Sequence, residues 1–213
     1  NLAFLSPEEP LSRVLLASAS PSEGKSTSSI ALARVMAEQG RRVLVIEGDL
    51  RRPALAKMYE LDAPSLKGLT HYLALGWRFE EVVHETPVPN VYVMPAGAIP
   101  PNPSTLLRPE SLEHLLADAS EWADFVIVDS PPLSAGADAT ILAHAVGTVI
   151  FVVNHRRGSR TKVTAAIRQL RQTEATVAGL IVNEMGGSEN YDRYYGEAAP
   201  DALPDPLASR PGD

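Results

Sequence analysis

The sequence predicts an α/β fold: a doubly wound, mostly parallel sheet flanked by helices. Short apolar runs rich in β-branched residues alternate with helical stretches along the chain. Several runs are continuously apolar, the pattern of strands buried on both faces. Motifs rich in glycine or acids come after three of them, at the strand ends where sheets of this class collect ligands.

Strands are expected at residues 14–17, 43–46, 91–94, 125–128, 149–153 and 177–182. A helix is expected from Lys25 to Gln39, where Gly40 supplies the stop. Others are expected at 65–75, 104–120, 137–145 and 159–173, and no internal repeat is visible. Residues 1–185 read as one nucleotide-binding domain. From Gly186-Gly187-Ser188 the chain turns polar, with Pro200, Pro204, Pro206 and Pro211 near its end. Residues 186–213 therefore read as a mobile tail with little apolar surface to bury.

Composition narrows the function classes. With 213 residues, 45% of them hydrophobic, the chain can bury a continuous core. The absence of cysteine excludes disulfides and thiolate metal sites and suits a reducing cytoplasm. A net charge of −7 disfavours nucleic acid as the main partner. No stretch approaches the roughly 20 apolar residues that cross a bilayer. His71, His84, His114, His144 and His155 lack metal-ligand spacing. The basic run from His155 to Arg160 reads as a solvated turn, though its place after a strand also suits a nucleotide or a neighbour. The chain opens at Asn1 with an apolar stretch resembling a helix end, so an upstream segment is expected, and a membrane tether would fit there.

The first motif is Ser20-Pro21-Ser22-Glu23-Gly24-Lys25-Ser26-Thr27, between the first strand and the first helix. A phosphate loop asks for Gly, four residues, then Gly-Lys-Ser/Thr; Ala19 stands at the first glycine and the rest fits. Amides and dipole at a helix start attract phosphate oxygens. Lys25 suits the β- and γ-phosphates of ATP, and the Ser26 hydroxyl is a hard ligand for Mg²⁺.

Two further strands end in acids: Glu47-Gly48-Asp49-Leu50-Arg51-Arg52 and Asp129-Ser130-Pro131-Pro132. Beside a phosphate loop such acids hold Mg²⁺ or its water shell, a role that suits Asp129 and Asp49. Glu47 or Asp49 is placed to take a proton from an attacking hydroxyl. Arg51 and Arg52 suit phosphate oxygens, a neighbouring subunit or plain solvation.

Together these segments resemble the bacterial tyrosine kinases (BY-kinases) of capsule and exopolysaccharide assembly, the CpsD/CapB-like phosphate-loop family. Ser20 to Ser26 resembles that family's Walker A, Glu47 to Arg51 its Walker A′ and Asp129 to Pro132 its Walker B. Pro95-Ala96-Gly97 with Pro100-Pro101-Asn102-Pro103 is similar to a further signature. The resemblance implies a MinD/ParA-like phosphate-loop NTPase fold with ATP and Mg²⁺ as cofactors. It also implies autophosphorylation between subunits on a C-terminal cluster, here Tyr191, Tyr194 and Tyr195. It makes Asn183, at the end of the last strand, a base contact. Its partners would be other copies of the chain in a ring, a transmembrane polysaccharide co-polymerase-type activator or a fused membrane segment, and a tyrosine phosphatase. Its place would be the cytoplasmic face of the plasma membrane. The chain departs from the family at Glu47, where aspartate is usual, and at Ser22, where glycine is common. The family's upstream ring-forming helix is not in this sequence.

Two rivals stay open. One is an ATPase switch of the chromosome- and septum-positioning type, whose signature lysine would fall at Ser20. The other is a catalytically weak, nucleotide-binding scaffold of a polysaccharide export complex, which Glu47 keeps in play.

Overall fold

A computed structural model describes residues 11–61 and 66–184. The tyrosines at 191, 194 and 195, the expected tail and the opening apolar stretch lie outside these residues. The elements run β1 (Arg13–Ser18), α1 (Lys25–Glu38), β2 (Val43–Glu47), α2 (Leu55–Met58), α3 (Leu69–Leu75), β3 (His84–Glu85) and β4 (Val91–Met94). Then come α4 (Pro109–Trp122), β5 (Phe125–Asp129), α5 (Asp138–Val146), β6 (Thr148–Asn154), α6 (Arg160–Arg171) and β7 (Thr176–Asn183).

Among the described residues the strands form one sheet in the order β3-β4-β2-β5-β1-β6-β7. All neighbours pair in parallel except β3, which runs antiparallel on β4 at the edge. The six expected strands are present. The continuous apolar runs explain why β1, β2 and β5 are central, since each residue must find cover on one face or the other. Leu15 and Ala17 face one core with Leu44, Ile46 and Val126, covered by α3, α4, α5 and α6. Val14 and Leu16 face the other with Val43, Val45 and Phe125, covered by α1 and α2. On α1 the sheet-facing residues Ser29, Ala33 and Ala37 are small, so the helix lies close on β1 and β5.

Two expectations shift. The helix expected over 104–120 becomes a 3₁₀ turn at Pro103–Thr105 and then α4. Pro109 lacks an N–H and favours extended backbone at Arg108, whose ψ is 143°. The helix expected from residue 65 begins at Leu69, because Gly68 is extended against Pro95: a Cβ there would lie 1.9 Å from the Pro95 carbonyl oxygen. The short elements α2 and β3 carried no periodic signal long enough to foretell them.

Candidate active site

The loop after β1 meets the carboxyl ends of β2 and β5, where a cavity of about 530 Å³ opens. Residues 20–27 form its floor, Asp49, Arg51 and Arg52 one wall, and Pro132, Ser134 and Ala135 another. Helix α1 points its amino end into it. Ser28 N–H is the first amide of α1 to reach a helical acceptor, the Gly24 carbonyl at 2.9 Å. The amides of Lys25, Ser26 and Thr27 have no backbone acceptor among the described residues, as a helix start dictates.

Glycine is required at position 24. Its φ is +89°, and a Cβ would lie 1.8 Å from Asn183 Nδ2. Ser22 also sits in left-handed backbone, φ +62°, a conformation that glycine adopts at no steric cost. Glu23 is buried and accepts the Ser20 N–H at 3.0 Å, closing the loop on itself.

At the end of β5, Asp129 anchors the loop from beneath. Its Oδ1 lies 3.2 Å from Lys25 Nζ, and its Oδ2 accepts the Ser26 hydroxyl at 2.5 Å. Ser29, one turn further along α1, donates to the Lys25 carbonyl at 3.1 Å and lies 3.4 Å from Asp129 Oδ1. A lysine amine and a serine hydroxyl thus converge on one buried carboxylate. This donor set, hard oxygens beside a cation and an amide-lined helix start, fits a triphosphate with a divalent cation.

The two acids after β2 divide. Glu47 is 1% exposed and is not among the residues that line the cavity. Its Oε1 accepts the N–H groups of Ala54 and Leu55, the latter at 2.9 Å, and so caps α2; its Oε2 accepts Ala96 N–H at 3.4 Å. Burial raises its pKa above the ordinary value of 4.5. The Leu55 and Ala54 amides pull it back, the charge of Asp129 pushes it up, and the Ala96 amide again lowers it. Asp49 lines the cavity. Its Oδ1 accepts the Arg51 and Arg52 amides at 3.1 and 2.9 Å, and its Oδ2 accepts none among the described residues.

Three residues at the site had no motif to announce them. Asp138, buried in the first turn of α5, holds Arg51 Nε at 3.0 Å and accepts the Ser104 hydroxyl at 2.6 Å. Arg51 Nη2 donates to Ser104 Oγ at 3.0 Å, so the arginine is braced on the cavity wall. Ser29 had only its position, four residues after Lys25 on the same helix face. Asn183, expected at the base, turns its amide to the loop and donates to the Glu23 carbonyl at 3.3 Å. Among the described residues no group of three or more acids and histidines is placed to hold a metal ion by itself, and no helix is long and apolar enough to cross a membrane.

With this geometry in view, residues 14–201 match the family described as the CobQ/CobB/MinD/ParA nucleotide binding domain. The chain is 33% identical over 197 residues to the tyrosine-protein kinase YwqD of Bacillus subtilis (strain 168), covering 92% of this chain and 82% of that one. It is 31% identical over 188 residues to the tyrosine-protein kinase CpsD of Streptococcus agalactiae serotype III (strain NEM316), covering 88% and 80%. Among solved structures, the kinase domain of the Escherichia coli tyrosine kinase ETK superposes with a TM-score of 0.78 at 30% identity, over 84% of this chain and 69% of that one.

Proposed function

The chain belongs to the bacterial tyrosine kinases of capsule and exopolysaccharide assembly, built on the CobQ/CobB/MinD/ParA nucleotide-binding domain, and we propose that it carries the γ-phosphate of ATP to Tyr191, Tyr194 and Tyr195 of another copy. One observation carries the assignment of the site: Lys25 and Ser26, on the floor of the cavity beside the free amides of α1, converge on the buried carboxylate of Asp129.

In this scheme residues 20–27 hold the triphosphate. Their amides meet its oxygens, and Lys25 swings its charge from Asp129 toward the β- and γ-phosphates. Ser26 and Asp129, with Asp49 beside them, would hold Mg²⁺, directly or through water; the ion, when bound, offsets charge on the phosphate oxygens. Arg51, braced by Asp138 and Ser104, presents its remaining nitrogen, Nη1, to the phosphates. Asn183 braces the loop through Glu23 and borders the base.

Asp49 rather than Glu47 takes the proton. Glu47 has both oxygens occupied by backbone amides, whereas Asp49 faces the cavity with Oδ2 open. The tyrosine oxygen then bonds to the γ-phosphorus while the bond to the β–γ bridging oxygen breaks, releasing ADP. Glu47 in place of the usual aspartate therefore leaves the proton acceptor intact, which weighs against a merely structural scaffold. A transmembrane activator, ring assembly with other copies, a phosphatase and a place at the inner membrane face belong to the same proposal.

The test is to incubate the full-length protein with ATP and Mg²⁺ and map phosphotyrosine by mass spectrometry. Phosphate on the three tyrosines, abolished in Lys25→Met and in Asp49→Asn, is expected. Free phosphate without protein labelling indicates an ATPase switch, and nucleotide binding with neither indicates a scaffold; both defeat the proposal.

A further inference from the structure

An uninterrupted run of exposed positive charge lies outside the nucleotide cavity. Six cations, Arg156, Arg157, Arg160, Lys162, Arg168 and Arg171, fall between positions 155 and 171, and no acid interrupts residues 148–173. All six are exposed, and among the described residues none forms an ion pair. The molecule as a whole is acidic, at −7, so this face opposes the rest of the surface.

The face is well formed. Asn154, buried at the end of β6, accepts the Arg156 and Arg157 amides at 2.9 Å each. Gly158 N–H closes on the Asn154 carbonyl at 2.7 Å, so the turn is held by its own hydrogen bonds. Beside it the edge strand β7 exposes Leu180 by 60% and Val182 by 47%. They alternate with Ile181, which packs on the α1 side, so they project toward the α6 side. The same side of the sheet thus carries α6 with its cations and two bare apolar side chains.

The segment after β7 has matching chemistry. Residues 185–213, outside the described residues, contain six acids and two arginines, a net charge of −4. They also contain Tyr191, Tyr194, Tyr195, Leu203 and Leu207. The chain enters this segment beside the basic turn, because the His155 N–H donates to the Asn183 carbonyl at 2.8 Å. The 29 residues exceed what is needed to run along α6, whose 12 residues span about 18 Å.

We propose that the turn after β6, α6 and the exposed side of β7 form the docking face for the chain's own acidic, tyrosine-bearing segment. Exposed ion pairs are individually weak and screened by salt. Covalent attachment at Asn183 raises the local concentration to about the millimolar range, so several weak pairs suffice. The tyrosine rings suit both the arginines and the bare side chains of β7. Phosphorylation adds about −1.5 to −2 charges per tyrosine and bidentate acceptors for arginine, so the docked form tightens. That last step rests on the kinase assignment; docking of the unmodified segment does not.

The absence of cysteine makes the test clean. A spin label on Ala198→Cys in the full chain is read by paramagnetic broadening of backbone amides. Docking broadens residues of α6 and β7 selectively at about 50 mM salt, and the effect is lost at about 500 mM. It is also lost in the exposed charge reversal Arg156→Glu/Arg160→Glu/Arg168→Glu. A halo centred on Asn183 that neither salt nor charge reversal alters overturns the proposal. Broadening seen only when labelled and isotopically labelled chains are mixed assigns the face to a second copy and overturns it. Phosphatidylserine vesicles shifting the α6 resonances in a chain without selective broadening assigns it to lipid and does the same. Repeating the measurement after incubation with ATP and Mg²⁺ separates the two claims: absent phosphotyrosine sinks the kinase step and leaves the docking result standing.

Discussion

Breaking the pair between Lys25 and Asp129 tests whether these two side chains hold the site together. They are 10% and 2% exposed and 3.2 Å apart. Two charges at such a distance attract by about 5 kcal/mol at an effective dielectric of about 20, much of it offset by desolvation. Removing one partner strands the other, which for a buried pair costs about 3–5 kcal/mol. Asp129→Asn leaves Lys25 without its anion, and the adjoining cavity lets water soften the loss to about 3 kcal/mol. Lys25→Met is milder, about 1–2 kcal/mol, because Asp129 keeps the Ser26 and Ser29 hydroxyls. If the pair is the common cause, the double variant costs about 2 kcal/mol rather than the sum, a coupling of about 2–3 kcal/mol. In a chain of this length Asp129→Asn then lowers Tm by about 6–12 °C. The assay is urea and thermal unfolding of the four proteins without nucleotide. Additivity within about 0.5 kcal/mol would refute the pairing.

Two further predictions concern the departures at Glu47 and Ser22. Glu47 has its folded-state pKa raised by burial, so the folded chain holds that proton more firmly than the unfolded chain. Stability contributed at this position is therefore greatest at low pH and declines as pH climbs through the window between 4.5 and the raised value. Glu47→Gln removes that decline, so the difference between wild type and variant, measured by denaturation at a series of pH values, slopes downward with pH; a flat or rising difference defeats the assignment. Ser22→Gly relieves left-handed strain of about 1–2 kcal/mol against a backbone-entropy cost of about 0.5–1 kcal/mol, so a net gain of about 0.5–1 kcal/mol is expected in the unfolding midpoint, and a loss rules out strain at φ +62°.

Most of the strands and the phosphate loop were legible because their signals are local. A continuous apolar run needs cover on both faces wherever it falls, and Gly-Lys-Ser after such a run has one geometric use. The helix starts were less legible. Gly68 and Pro109 set them through a contact with Pro95 and the extended backbone of Arg108, and neither leaves a periodic trace. Asp138 and Ser104 were invisible because their importance lies in reaching Arg51 from 87 and 53 residues away.

By itself the sequence determined the alternation of buried strands and helices, the place of the anion cradle and the acids at the strand ends, since these arise from hydrophobic period and backbone chemistry within a dozen residues. The division between Glu47 and Asp49 was decided only in three dimensions. Both are carboxylates two residues apart, and alternation along the chain does not say which finds amides to cap and which faces the cavity. That depended on where α2 and the loop at Ala96 packed, which turned one acid into a buried cap and left the other open to the cavity.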